Sequence, residues 1–292
     1  MNYVLAVLAA VLLGVASVLQ QAVAEQAPSR DFLHARLLLD LLRYPRWLAG
    51  VGVMVSGQLL SIWVLGHTTL SVAEPLLASS LLFALVLAWP LSRQPLTRSE
   101  VAGALMLMAG VTILSLSRTL QSPEMIVGGQ ANWPYAAAGT AGLAVALASL
   151  GRRWPGSTRA MLTGASAGVT FGLQDALTRR MVQDLSAHGV IAPLRSWPVY
   201  VLIATGLAGF WLMQNAFSAG PLHASLPAIT AAEPVIGIML GLMVFGDRLR
   251  ISPTLISLQA TALVLLVFGV ILVASGPALA PLRRPATRRL HR

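Results

Sequence analysis

The sequence contains no cysteine and no lysine, and only 10% of its 292 residues are charged. Without cysteine there is no disulfide, no thiolate metal site and no cysteine nucleophile. No HExxH zinc motif, no GxxxxGK phosphate loop and no Ser-His-Asp set in a workable order occurs either, so no enzyme and no resident cofactor or metal is expected. Scarce charge combined with 56% hydrophobic residues excludes an ordinary soluble domain and points to a polytopic membrane protein. The formal charge of +10 would suggest nucleic acid in a soluble chain. Here the arginines stand in short connectors and the tail, where they orient helices instead.

Apolar windows of about 20 residues, enough to cross roughly 30 Å of hydrocarbon, occur near 3–24, 47–65, 69–90, 99–117, 133–150, 159–180, 198–219, 222–246 and 252–275. The first lacks a basic lead-in and a small-residue cleavage site, so it is expected to be a retained span. The expected fold is therefore all-α, a polytopic bundle of about nine transmembrane helices in one domain, 1–277, followed by a basic, disordered cytoplasmic tail, 278–292. The segment 25–46 reads as surface with an amphipathic turn in FLHARLLLDLL, although a tenth span in 31–46 stays open. The connector 181–197 also reads as surface. Fourteen of the 20 arginines fall on the side reached after the first span. That bias predicts an outside N-terminus and a cytoplasmic C-terminus.

The chain repeats itself. GVASVLQQAV (14–23) matches GVTFGLQDAL (168–177), pairing Gly14 with Gly168 and Gln20 with Gln174. Gln58 answers Gln214 and Asn215, Ala73-Glu74-Pro75 echoes Ala232-Glu233-Pro234, and GVTILSLS (110–117) echoes GVILVAS (269–275). Repeat 1 (about 3–117) and repeat 2 (about 159–275), separated by a fifth span (about 133–150), must run in opposite senses. Inverted repeats place the site of a secondary transporter at their interface near the midplane.

Within 219–250 the apolar run holds one membrane-embedded acid, Glu233, between Pro227 and Pro234, and reads as a broken membrane helix. A charge at the bilayer centre costs roughly 2.5–3.5 kcal/mol on insertion scales, so it faces protein or water. Glu233 is thus the leading candidate, against the alternative of a structural hydrogen-bonding group. Gln20, Gln174, Gln58, Gln214 and Asn215 are candidate path-lining amides, or else polar glue between helices. Glu74 is a second candidate acid, or else a favourable charge at a helix start followed by proline. Gly164, Gly168 and Gly172 fall on one helix face and predict a close helix crossing. His67 and His223 lie near span ends, where an interfacial imidazole is expected.

AGPLHASLPAITAAEPVIGIMLGLMVFGDRL, followed by a span ending GVILVAS, resembles the drug/metabolite transporter (DMT) superfamily. Its halves close on a small-residue helix with a mid-helix proline, an acid at the exit and a Gly-Val-rich final span. In EamA-like members that exit acid is glutamate; here it is Asp247. The first-half run YPRWLAGVGVMVSGQLLSIWVLGHTTLSVAEPLLASSLL is similar to the NIPA-like magnesium-transporter branch. Gln58 stands where that branch carries glutamate, and a neutral amide is a poor draw for a hard divalent cation. The resemblance spans 11–275. It implies a multi-pass plasma (inner) membrane transporter moving a small solute by alternating access, with Glu233 as proton-coupling or substrate-binding group. The alternatives it leaves are a divalent-cation transporter and a non-transporting scaffold or subunit. Expected partners are membrane lipid and a small-molecule or ion substrate, with a homodimer allowed and nucleic acid excluded.

Overall fold

Helices and closed barrels are the two structures that satisfy every backbone group in lipid, and helix is what this chain forms. The computed structural model describes residues 2–26, 32–34, 36–67, 76–92, 97–119, 132–188, 196–244 and 253–274. Among these residues there is no strand and there are ten helices. They are α1 Asn2–Ala24, α2 Arg36–Leu41, α3 Pro45–His67, α4 Ser80–Ser92, α5 Arg98–Thr119, α6 Trp133–Gly151, α7 Ser157–His188, α8 Trp197–Ala219, α9 Leu222–Val244 and α10 Pro253–Ala274. Among the described residues five segments are long and apolar enough to cross a membrane: Tyr3–Ala24, Pro45–Val64, Trp133–Gly151, Trp197–Ala219 and Leu222–Gly241. The chain is an integral membrane protein.

One expected boundary holds and another changes. The segment 31–46 holds only the six-residue α2, far short of the roughly 20 residues a span needs. Its Leu37 and Leu41 are buried while Leu39 and Leu42 are exposed, so it is the amphipathic turn, lying against the bundle. The connector expected at 181–197 is instead helical to His188, where Arg180 Nε meets Asp184 Oδ2 at 3.1 Å one turn on. The tail 278–292 lies outside the described residues.

The hub is α9, which touches α1, α4, α5, α6, α7, α8 and α10. In its apolar window 53% of residues are buried, against 28–39% in the other four. Contrary to the broken helix expected there, α9 runs unbroken through Pro227 and Pro234. Each proline deprives a carbonyl one turn back of its donor, but the wall of α7 clamps the helix at every turn. A methyl group at Gly164 would sit 2.6 Å from the Ser225 carbonyl oxygen, and one at Gly172 2.7 Å from that of Glu233. At Gly168 it would strike the carbonyl of Ile229. The glycine face therefore makes the close crossing expected of it.

The first and last four long helices pack alike. α1 lies on α3 and α4, α7 lies on α8 and α9, and α5 lies along α10. Gly14 of α1 abuts Ser80, Phe83 and Ala84 of α4, as Gly168 of α7 abuts Ile229 and Ala232 of α9. At the α5 and α10 crossing, Gly103 meets Gly269 and Val273, Gly110 meets Ala262 and Leu266, and Gly269 meets Leu107. α6 covers α7, where Ser166 Oγ donates to the Ala144 carbonyl at 2.7 Å.

Helix ends gather in two groups. The Arg159 guanidinium lies 4.9 Å from the Phe32 ring centroid, and Gly220 abuts Gly156 and Ala160. At the other end Asn132 Nδ2 donates to the Met243 carbonyl at 3.1 Å, and the rings of Trp133 and Trp197 meet edge to face at 5.5 Å.

Candidate functional site

A chain of side-chain hydrogen bonds ties the first helices to α8. Trp47 Nε1 donates to Gln214 Oε1 at 2.9 Å. Gln214 Nε2 donates to Gln20 Oε1 at 2.6 Å, and Gln20 Nε2 donates to the Gly50 carbonyl at 3.2 Å, with Met54 Sδ 3.5 Å away. All three side chains are buried. Glycine at 50 gives the amide its room, since a methyl group there would sit 3.0 Å from Gln20 Cγ. Each link satisfies a polar group that would otherwise be stranded in apolar surroundings.

Successive helical residues point about 100° apart, so Asn215 faces elsewhere. Its Nδ2 donates to the Trp211 carbonyl at 2.8 Å, and its Oδ1 accepts the Leu33 backbone N–H. Leu33 has φ 57°, the left-handed region that side-chain-bearing residues seldom enter. Trp211 Nε1 reaches the His34 carbonyl at 3.4 Å. Leu37 and Leu41 of α2 share one core cluster with Trp47, Leu212 and Phe217. The segment around α2 is thus a strap fastened over this end of the interface between the first helices and α8.

The remaining candidates stand differently. Glu233 is half-buried on α9, one turn above Ile229 on the row that meets the α7 glycines. Gln174 is half-buried on α7, and its Oε1 is fully buried without a hydrogen-bond partner among the described residues. That oxygen would lie 3.5 Å from a methyl group placed on Gly206 of α8. Gln58 is exposed on α3, outside the bonded chain of Gln20 and Gln214. Glu74 lies outside the described residues. Among the described residues no group of three His, Cys, Asp or Glu side chains gathers where a metal ion could be held.

Three polar residues carry more than their sequence context announced. Trp47 is the first donor of the buried chain. Glu100 is 2% exposed because it closes a capping box. It accepts the Thr97 N–H at 2.8 Å, while Thr97 Oγ1 accepts the Glu100 N–H at 3.3 Å. The T-x-x-E spacing was there to be read. Of the two histidines, His67 is exposed as expected of an interfacial group, but His223 is buried, its Nε2 without a partner among the described residues.

Fold and site together define a class: an all-α integral membrane protein with a buried amide network joining its first helices to α8. Comparison with known proteins adds a family. An uncharacterized protein of Corynebacterium glutamicum is 31% identical over 244 residues, spanning 80% of this chain and 81% of that one, and the chain belongs to the same family. No family model and no solved structure matches it.

Proposed function

We propose that the protein is a secondary transporter of the drug/metabolite superfamily, moving a small solute by alternating access between two inverted four-helix halves. The observation that carries this reading is an exchange symmetry in the α5 and α10 crossing. Pair Gly103 with Ala262, Leu107 with Leu266 and Gly110 with Gly269, 159 residues apart in each case. The Gly103 to Gly269 contact then maps onto Ala262 to Gly110, and Leu107 to Gly269 onto Leu266 to Gly110, as antiparallel packing requires; what supports the reading is that small residue falls on small and leucine on leucine at the paired positions. The halves are separated by one helix, α6, so alternation of direction makes them inverted, the architecture of many secondary transporters. On this reading all nine long helices cross the bilayer, with the N-terminus outside and the C-terminus in the cytoplasm of a plasma-membrane protein.

The 159-residue step would pair Glu233 with Glu74, but the contacts of Gly14 and Gly168 support another partner. Aligned on Gly14 and Gly168, Ser80 stands with Ile229 and Phe83 with Ala232, 149 residues apart in each pair. Glu233 is thereby matched with Ala84 and not with Glu74. The Glu233 carboxyl, half-buried on the hub helix, is the proton-coupling or substrate-binding group of this proposal.

The test begins with purified protein screened by thermal shift against metabolites, amines and Mg²⁺, because a ligand held only by the folded form raises its apparent stability. Uptake of the stabilising solute into proteoliposomes is then measured with and without a pH gradient. Wild type is expected to respond to the gradient and Glu233→Gln to lose the response. A Glu233→Gln protein that inserts normally and transports with unchanged pH dependence removes Glu233 from the mechanism.

A further inference from the structure

The bond between Gln20 and Gln214 has a counterpart that this structure leaves unmade. Gln20 sits against Gly50 of α3, and Gln174, its equivalent, sits against Gly206 of α8. Gly50 and Gly206 are 156 residues apart, and continuing that step pairs Gln58 with Gln214 and His67 with His223. Exchanging the halves therefore turns Gln20 to Gln214 into Gln174 to Gln58, a link between α7 and α3. Here α1 packs on α8, whereas α7 and α3 make no comparable contact among the described residues. Gln174 Oε1 is buried without a donor among the described residues, and Gln58 is exposed. An unpaired buried acceptor is costly, and the equivalent position on the equivalent helix carries an amide able to satisfy it.

We infer that the protein has a second closed state in which Gln58 Nε2 donates to Gln174 Oε1, joining α3 to α7, and that the Gln20 to Gln214 bond opens as this one forms. The inference rests on the reading of the chain as two inverted halves. Because one amide-to-amide bond replaces another, the exchange itself is nearly balanced, and a smaller contact sets the bias. Trp47 adds an indole donor to Gln214, while the equivalent position, 156 residues on, is Ile203, which is exposed and has no side-chain donor. The present state is the one that Trp47 favours.

The absence of native cysteine makes the test direct. Full-length Gln58→Cys/Gln174→Cys protein in membrane vesicles is oxidised with copper phenanthroline, and cross-linking is read as loss of later maleimide-polyethylene glycol addition. A fraction of chains is expected to cross-link, rising about threefold when Trp47→Phe is added, the equivalent of one average interhelical hydrogen bond in a membrane. Gln58→Cys alone gives a second readout, its maleimide labelling falling in the Trp47→Phe background. No cross-link in either background, while Gln20→Cys/Gln214→Cys cross-links in parallel vesicles, overturns the inference. If solute uptake nonetheless responds to pH, the transporter reading survives that loss. Cross-linking in a protein that moves no solute sustains the two closed states and discards the transporter.

Discussion

Replacing Gln214 with alanine strands two buried groups at once, the carbonyl of Gln20 and the indole N–H of Trp47. Leaving a buried donor or acceptor unsatisfied costs about 1–3 kcal/mol, so Gln214→Ala is expected to lower the melting temperature of the detergent-purified protein clearly. Gln58→Ala, at an exposed position, should stay within about 0.5 kcal/mol of wild type. A matching loss in both variants would mean that the Gln20 to Gln214 bond contributes nothing special. The sequence made these amides visible because a polar side chain in an apolar run is conspicuous. It did not separate Gln214, which is locked into the bundle, from Gln58, which is exposed, since that depends on which face of each helix meets a neighbour. Trp47 was hidden for a related reason: in a membrane sequence a tryptophan near a span end reads as an interfacial anchor, and only its distance to Gln214 reveals a buried donor.

At the scale of the helix, the glycines of α7 are where a small change does most harm. Gly168→Ala sets a methyl group against the backbone carbonyl of Ile229, which cannot swing aside as a side chain could. Overpacking of this kind typically costs 1–3 kcal/mol. Gly142→Ala on α6, with open space around it, should be neutral in the same thermal assay. Thr97→Ala removes the hydroxyl half of the α5 capping box and should cost about 1 kcal/mol. The glycine row was legible, since a period of four puts residues on one face whatever they pack against. The continuity of α9 was not, because a proline breaks a helix only where neighbours fail to hold it. The Glu-Pro echo is a stronger match in letters than Ser80 with Ile229, yet it is Ser80 and Ile229 that meet Gly14 and Gly168, which letters alone do not show.

For the whole molecule, helix positions followed from the apolar windows almost everywhere, because a bilayer imposes length and composition together. The polar stretch 181–188 departs because an intrahelical Arg180 to Asp184 pair supports helix outside any apolar window. The proposed topology is open to single-cysteine labelling in intact cells. Arg153→Cys, in the turn before α7, and Tyr135→Cys, exposed in the first turn of α6, should react with a membrane-impermeant maleimide from opposite faces, Tyr135→Cys from outside. Reaction of both from one side would end the nine-crossing arrangement.

In the proposed exchange of halves the α5 and α10 crossing maps onto itself, so Gly103, Gly110 and Gly269 would be neighbours of the same kind in either conformation. A bulky substitution there should penalise both equally, lowering yield while leaving inward and outward occupancy in the same ratio. On that proposal only residues without a twin, Trp47 foremost, would tilt the rocker, which would tell an engineer where directionality is adjustable and where it is not.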